Sequence, residues 1–327
     1  MFVIGVDAGA TKTHAIALED SGKVLGIGHA GCGSHEAIGF VRARDALDAA
    51  IRQALEQAGK PLRDARFASF CLAGVDIQHD MVHVPKEMLE PILGGVAFLL
   101  KNDAFGCLRG GTRDPFGIMI NCGSGQVAVG RNREGVEIRV GGYGWDFGDF
   151  GGGNVMTQSA LAAVVRADDG RGAPTALLDL ILQASGHATI PDFLEKAYRD
   201  GEYVRSLGIP RLVFRSSAAG DSVARSILKS VAEEMAVTAN TLIRRLRMEK
   251  EAFDLITAGS VFRGEDPWFL ATIRSLVLPH APSANFRFPL YAPAVGAGLL
   301  ALEAVGIQAN DSLYGNLDRS LPAEFRS

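Results

Sequence analysis

No apolar run in this 327-residue chain approaches the roughly 18 residues needed to cross a bilayer. The opening run Phe2–Val6 is cut short by Asp7, and no basic stretch precedes it, so it reads as a buried strand and not as a secretory signal. The expectation is a cytoplasmic protein with no membrane partner. Basic excess is missing too. Lys and Arg number 33 against 37 Asp and Glu, a net charge of −4 with no block of one sign, which leaves nucleic acid without the positive face it requires. Cysteine is scarce: Cys32, Cys71, Cys107 and Cys122 form no C-x-x-C pair and read as reduced core thiols. His79 and His83 stand four apart, but no third ligand stands beside them at zinc-like spacing. Neither G-x-x-x-x-G-K-[ST] nor a strand followed by G-x-G-x-x-G occurs, which excludes the P-loop and dinucleotide folds.

What is abundant is glycine, 39 residues where average usage of about 7% would give far fewer. Hydrophobic residues at 47% are enough for a sizeable core, and the length suits two domains. Strands are expected at Phe2–Val6, His14–Leu18 and near Val24–His29, as an antiparallel meander. A helix over about Glu36–Ala58, a strand Phe67–Ala73, a helix Pro85–Leu93 and a strand Val96–Lys101 follow. The order then restarts about 115 residues on, with strands Phe116–Asn121, Gln126–Arg131 and Val136–Val140. A helical region spans about Val155–Leu246, broken near Gly170, Gly186, Gly208 and Gly220. A strand Phe253–Thr257, a helix Asp266–Val277 and an apolar helix Ala294–Ala304 complete the pattern.

Three glycine turns follow apolar strands: Gly9–Thr13, Gly123–Gly125 and Gly259–Ser260. Glycine lets backbone N–H groups face an oxyanion without an obstructing Cβ, and Thr11, Lys12, Thr13 and Ser124 add side-chain donors for phosphate oxygens. One such turn means little, whereas three at strand ends point to a nucleotide. A fourth glycine-dense stretch, 141–153, also holds Tyr143, Trp145, Phe147 and Phe150. A flexible linker would carry Ser and Pro instead, so this is an ordered loop closely approaching a ligand. Three acids stand beside these loops. Asp7 has an ordinary role as a turn cap, Asp103 as a helix N-cap and Asp149 as a turn residue. With the glycine turns they read instead as a magnesium-facing acid, a general base and an acceptor for substrate hydroxyls.

The ordered set Asp7-Ala8-Gly9-Ala10-Thr11-Lys12-Thr13, Asn102-Asp103-Ala104, Gly123-Ser124-Gly125, Gly141-Gly142-Tyr143-Gly144, Gly148-Asp149 and Ala258-Gly259-Ser260-Val261 resembles the N-acetylglucosamine and glucosamine kinases. These belong with the benzoyl-CoA reductase-type ATPases of the acetate and sugar kinase, heat-shock chaperone and actin superfamily. The closing helix around Pro293–Leu302 is similar to that family's last helix, so the likeness covers nearly the whole chain.

The resemblance implies an α/β fold of two actin-like (ribonuclease H-like) domains, each with a βββαβαβα core, around a central cleft. Residues 1–112 with the helix at about 294–306 would form one domain, and 113–293, with a helical insertion, the other. It implies a homodimeric, ATP- and magnesium-dependent kinase acting on a small-molecule sugar. Asp103 would take the proton of the attacking hydroxyl. Asp7, Gly9, Ala10, Thr11, Lys12, Thr13, Gly123, Ser124, Gly125, Gly220, Gly259 and Ser260 would hold the nucleotide, with Asp7 facing Mg2+ through water. Ser34, Asp103, Gln126, Gly142, Tyr143, Gly144 and Asp149 would meet the sugar.

The departures fall on the sugar side. Gln126 stands where relatives carry Ser, Phe150 where they carry Glu, and Ser34 where they carry Asn. Such swaps alter sugar choice before they alter ATP binding. Two other readings keep the same fold. One is an ATPase activator of a radical dehydratase or reductase, with Cys122 as a cluster ligand but no second cysteine over Asp149–Leu161. The other is a sugar or nucleotide sensor with weakened turnover.

Overall fold

The computed structural model describes residues 1–326. The chain lays down β1 (Phe2–Ala8), β2 (Thr13–Glu19), β3 (Val24–Ala30), α1 (His35–Ile38), α2 (Phe40–Ala58), β4 (Ala68–Leu72), α3 (Gln78–Val84), α4 (Glu90–Leu93), β5 (Phe98–Asn102) and α5 (Asp103–Gly111). A second series follows: β6 (Gly117–Cys122), β7 (Gln126–Arg131), β8 (Glu137–Gly141), α6 (Gly153–Asp168), α7 (Leu177–Ser185), α8 (Ile190–Arg199), α9 (Gly201–Ser206), α10 (Ile209–Ala218) and α11 (Ser222–Leu246). Then come β9 (Phe253–Ala258), α12 (Trp268–Val277), β10 (Ala284–Arg287), α13 (Pro293–Ala304) and α14 (Asp311–Ser320).

The two series build sheets of one topology. The first runs β3-β2-β1-β4-β5 and the second, read in the same sense, β8-β7-β6-β9-β10. In each, the first three strands form an antiparallel meander and the last two run parallel to the first. The repeated strand–hairpin–strand pattern is therefore a duplication of fold. β4 reads Ala-Ser-Phe-Cys-Leu, with every residue buried, as a parallel strand covered on both faces must be.

The helix α13 leaves the second sheet and returns to the first. Val295, Leu299 and Leu302 join Val3, Ile16 and Leu18 in one core cluster, and Leu313 and Leu317 of α14 add to it. Helix and strand backbones touch here: a Cβ on Gly5 would lie 2.2 Å from the Gly298 nitrogen, so only glycine fits in β1 at that point. The long helix α11 carries the core of the other half, burying Leu228, Val231, Met235, Leu242 and Leu246 along one stripe.

Four local expectations differ from the structure. The helix expected over 36–58 is split at Gly39, whose φ of 79° ends α1. The helix expected from Pro85 begins at Gln78, and Pro85 sits inside a continuous run as the first residue of a π-turn, Pro85–Leu89. The wider i→i+5 spacing accommodates the missing proline N–H. β10 is only four residues long, too short to show a period. α14 lies beyond the last expected helix and shows a polar outer face over three buried residues.

Candidate active site

Asp103 begins α5 at the end of β5, but it is not the helix cap. The Asn102 side chain accepts from the Ala104 N–H at 3.1 Å and fills that role, so the ordinary explanation for Asp103 does not hold. Burial and the nearby carboxylate of Asp76 push Asp103 up to about 6, offset in part by the Ala104 N–H and by Arg139. Asp7, inside β1, is pushed up to about 7 by burial and by Asp103, with Lys12 pulling it down. Asp76 is raised as well, by burial and by Asp80, with Arg139 and Asn102 pulling it down, so neighbouring carboxylates add to burial at all three acids. Asp76 and Asp103 line the first cavity described below and Asp7 lines neither; perturbed acids lining a cleft mark a functional site.

Asp76, in the loop after β4, was not distinguished by the sequence. Its Oδ1 accepts from Asn102 Nδ2 at 2.8 Å and pairs with Arg139 Nη1 at 2.7 Å. Arg139 in β8 also donates to the carbonyls of Gly141 (3.1 Å) and Gly142 (2.9 Å) and lies 4.7 Å from the Tyr143 ring centre. One arginine therefore ties the glycine loop of the second half to the acids of the first. A second ion pair, Lys101–Glu137, joins β5 to β8 beside it. The only trace of Arg139 in the sequence is a lone arginine in the strand that feeds the glycine loop.

Two cavities meet at the second glycine turn. One, of about 450 Å3, is lined by Asp76, Asp103, Arg139, Gly142, Gly144 and Asp149, among others. The other, of about 740 Å3, is lined by Asn154, Arg211, Ser260 and Arg263. Gly123, Ser124 and Asn154 face both. The turn is fixed from behind: Gly153 N–H donates to Gly123 O at 2.8 Å and Asn154 N–H to Ser124 O at 2.9 Å. Gly259, after β9, has φ of 99°, and a Cβ there would meet Cys122 O at 2.4 Å, so the third turn packs directly under the second. Cys122 is fully buried and its thiol pushed up to about 12, which removes it as an accessible cluster ligand.

On the wall of the first cavity, Asp149 Oδ2 accepts from the N–H groups of Tyr143 (2.5 Å) and Gly144 (2.6 Å). Its Oδ1 lies 3.5 Å from Gln126 Nε2, which donates to Glu234 of α11 at 3.0 Å. Gln126 and Asp149 are buried beside each other, and Gln126 Oε1 has no partner among the described residues. Glu234, on the inner side of a long helix, carried no signal in the sequence.

The cavities gather Asp103, Gly123, Ser124, Gly125, Gln126, Gly142, Gly144, Asp149 and Ser260, but not every expected residue. Gly9–Lys12 lie on the exposed β1–β2 turn and line neither cavity. The Gly9 N–H closes its own turn on Lys12 O at 2.9 Å, and Gly123 N–H likewise on Gly125 O, so the donors left for an oxyanion are those at the turn tips. Thr13 is turned inward, its hydroxyl donating to Gly31 O at 2.9 Å. Ser34 is buried at the start of α1, Tyr143 is exposed at the cavity mouth, and Gly220 lies in the α10–α11 turn; none of the three lines a cavity. Gly208 and Pro210, at the start of α10, reach the second cavity instead.

Among the described residues no three His, Cys, Asp or Glu side chains converge as a metal site, and no helix is long and apolar enough to cross a membrane. The chain is 29% identical over 314 residues to the N-acetyl-D-glucosamine kinase of Dictyostelium discoideum, covering 92% of this chain and 98% of that one. It is 29% identical over 265 residues to the N-acetylmuramic acid/N-acetylglucosamine kinase of Clostridium acetobutylicum, covering 80% and 85% respectively. The solved structure of a candidate N-acetylglucosamine kinase from Chromobacterium violaceum superposes with a TM-score of 0.69 at 22% identity, over 91% of this chain and 98% of the other. The fold is the two-domain, actin-like α/β architecture of the sugar kinases. The profile of the BadF/BadG/BcrA/BcrD ATPase family matches residues 4–301, and the chain belongs to that family.

Proposed function

We propose that this protein transfers the γ-phosphoryl group of ATP to a hydroxyl of an amino sugar or related hexose, with Asp103 as general base. The observation that carries this reading is the Asp103 carboxylate, raised to about 6 and facing the same cavity as Gly142, Gly144 and Asp149. That cavity joins a second one across the Gly123–Ser124 turn, so a sugar and a nucleotide have adjoining places. The amino-sugar kinases related to this chain favour the same substrate class.

In the reaction the sugar oxygen forms a bond to the γ-phosphorus while the bond to the β-phosphate oxygen breaks, releasing ADP. Asp103, ionised at neutral pH, accepts the hydroxyl proton. Asp149 holds the loop that surrounds the sugar by fixing the N–H groups of Tyr143 and Gly144. The tip of the first turn, Ala10–Thr11, and Ser124 supply donors to phosphate oxygens, and Gly259–Ser260 borders the nucleoside. Magnesium fits as a nucleotide-borne ion: one buried acid, Asp7, destabilised by its neighbours, suits an outer-sphere contact, and Mg2+ keeps most of its waters. When bound, it neutralises charge on the transferring phosphoryl group. Residues 1–112 with 294–306 make up one domain in this proposal and 113–293 the other. Residues 311–320, packed on the first sheet, go with the former.

The test is ADP release with Mg-ATP across glucosamine, N-acetylglucosamine, N-acetylmannosamine, glucose and anhydro-sugars, with Asp103→Asn beside the native chain. A sugar-dependent rate that disappears in the variant supports the proposal. Silence on every sugar with ATP still bound replaces it with the sensor reading.

A further inference from the structure

The mouth of the first cavity is more aromatic than one polar sugar ring requires. The loop 141–153 exposes Tyr143 (50%), Trp145 (53%), Phe147 (78%) and Phe150 (45%). Large apolar side chains gathered at one exposed place mark an interaction site. Trp145 itself lines the cavity, and Phe150 meets it edge to face, with ring centres 4.9 Å apart and planes at 74°. The rings stand on a fixed backbone. Asp149 holds the Tyr143 and Gly144 N–H groups, and Gly148 N–H donates to Trp145 O at 3.1 Å. Phe150 also occupies the place where the resemblance has an acid. A phenyl ring there cannot hydrogen-bond a hydroxyl, but it can cover an apolar face. The cavity, at about 450 Å3, is within the range that encloses ligands larger than one ring.

We propose that Trp145 and Phe150 form a second subsite, for a ring attached to the sugar that is phosphorylated. The acceptor is then a glycoside bearing another pyranose or an aryl group, and not only a free monosaccharide. The C–H face of a pyranose is apolar and weakly positive, which matches the negative face of an indole; an aryl group stacks on it directly. Asp103 and Trp145 line one continuous cavity, so an acceptor with its reacting hydroxyl at the former extends its second ring towards the latter. This inference rests on the kinase reading above, and its test is chosen to separate the two.

Calorimetric titration in the presence of Mg-ADP would compare N-acetylglucosamine, its β-linked dimer and its p-nitrophenyl β-glycoside. The proteins are the native chain, Trp145→Ala and Phe150→Ala, each checked for native thermal unfolding. The native chain is expected to bind the dimer or the nitrophenyl glycoside about tenfold more tightly than the monosaccharide. In either variant that advantage should fall to about twofold or less. A native preference for the monosaccharide overturns the subsite. So does an equal loss on all three ligands, which would make the aromatics a lid over any sugar. ADP release on the same ligands separates the readings: monosaccharide turnover without a two-ring advantage removes the subsite alone. Two-ring binding without turnover of any ligand removes the kinase and leaves the subsite.

Discussion

Arg139 Nη1 lies 2.7 Å from Asp76 Oδ1, and through this pair the strand that feeds the glycine loop grips the acids of the opposite half. Asp76 in turn accepts from Asn102, whose other side-chain atom caps α5 at Ala104, one residue beyond Asp103. Glycine loop, Arg139, Asp76, Asn102 and the start of α5 at Asp103 form one connected series. Arg139→Gln is expected to lower kcat/KM about ten- to a hundredfold by misplacing Asp103 and the loop together, since small displacements of a base are costly. Arg139→Lys should recover little, because a point charge cannot replace the forked contacts to Asp76 and two carbonyls. A double-mutant cycle with Asp76→Asn measures the pair; coupling near zero would remove it from the series.

The acid limb of kcat/KM should fall near pH 6, where Asp103 becomes protonated, and it reports the carboxylate cluster as a whole. Asp76→Asn removes a negative neighbour and should move the limb to lower pH. Arg139→Gln removes a positive one and should move it higher. A pH profile of each variant checks both signs.

Asp103→Asn should cost at least about two orders of magnitude in turnover while nucleotide binding stays within a fewfold. The same change should make the ligand-free protein more heat-resistant. Folding raises Asp7 to about 7 and Asp103 to about 6, so the folded chain holds protons that the unfolded chain has released above the ordinary carboxylate range. The contribution of these groups to stability is complete below about pH 4 and is lost as pH rises through 6 and 7. Thermal unfolding at pH 4 and pH 8 should show the Asn variant gaining more over the native chain at the higher pH, by about 2 °C or more.

Gly259→Ala should destabilise by roughly 2 kcal/mol or more, because a Cβ meets Cys122 O at 2.4 Å and φ is 99°. Since Gly259 supports the Gly123–Ser124 turn, ATP affinity should fall with it. Calorimetry and chemical denaturation on one preparation measure both; an unchanged midpoint would show that the third turn moves freely past the second.

The glycine turns and Asp103 were legible because each is a local device: a strand, a tight turn, an acid at a strand end. Their spacing in the chain also foretold the repeated meander. Asp76, Arg139 and Glu234 were not legible, because nothing near them in the chain marks them. Their role comes from facing residues 63, 63 and 108 positions away. Thr13 was misleading for a related reason. It adjoins the first glycine turn in sequence, but strand alternation turns its hydroxyl inward to Gly31. Pro85 concealed the start of α3 because a π-turn lets a helix continue through a proline.

The contact between Gly5 and Gly298 has a consequence for biosynthesis. Val3, Ile16 and Leu18 leave the ribosome well before the helix that covers them, because the second sheet lies between the two in the chain. The strands of the second sheet are all synthesised while the first still lacks its outer layer. While the second sheet is being made the nascent chain therefore carries an uncovered apolar face, and chaperone occupancy should persist until residue 304 has cleared the exit tunnel.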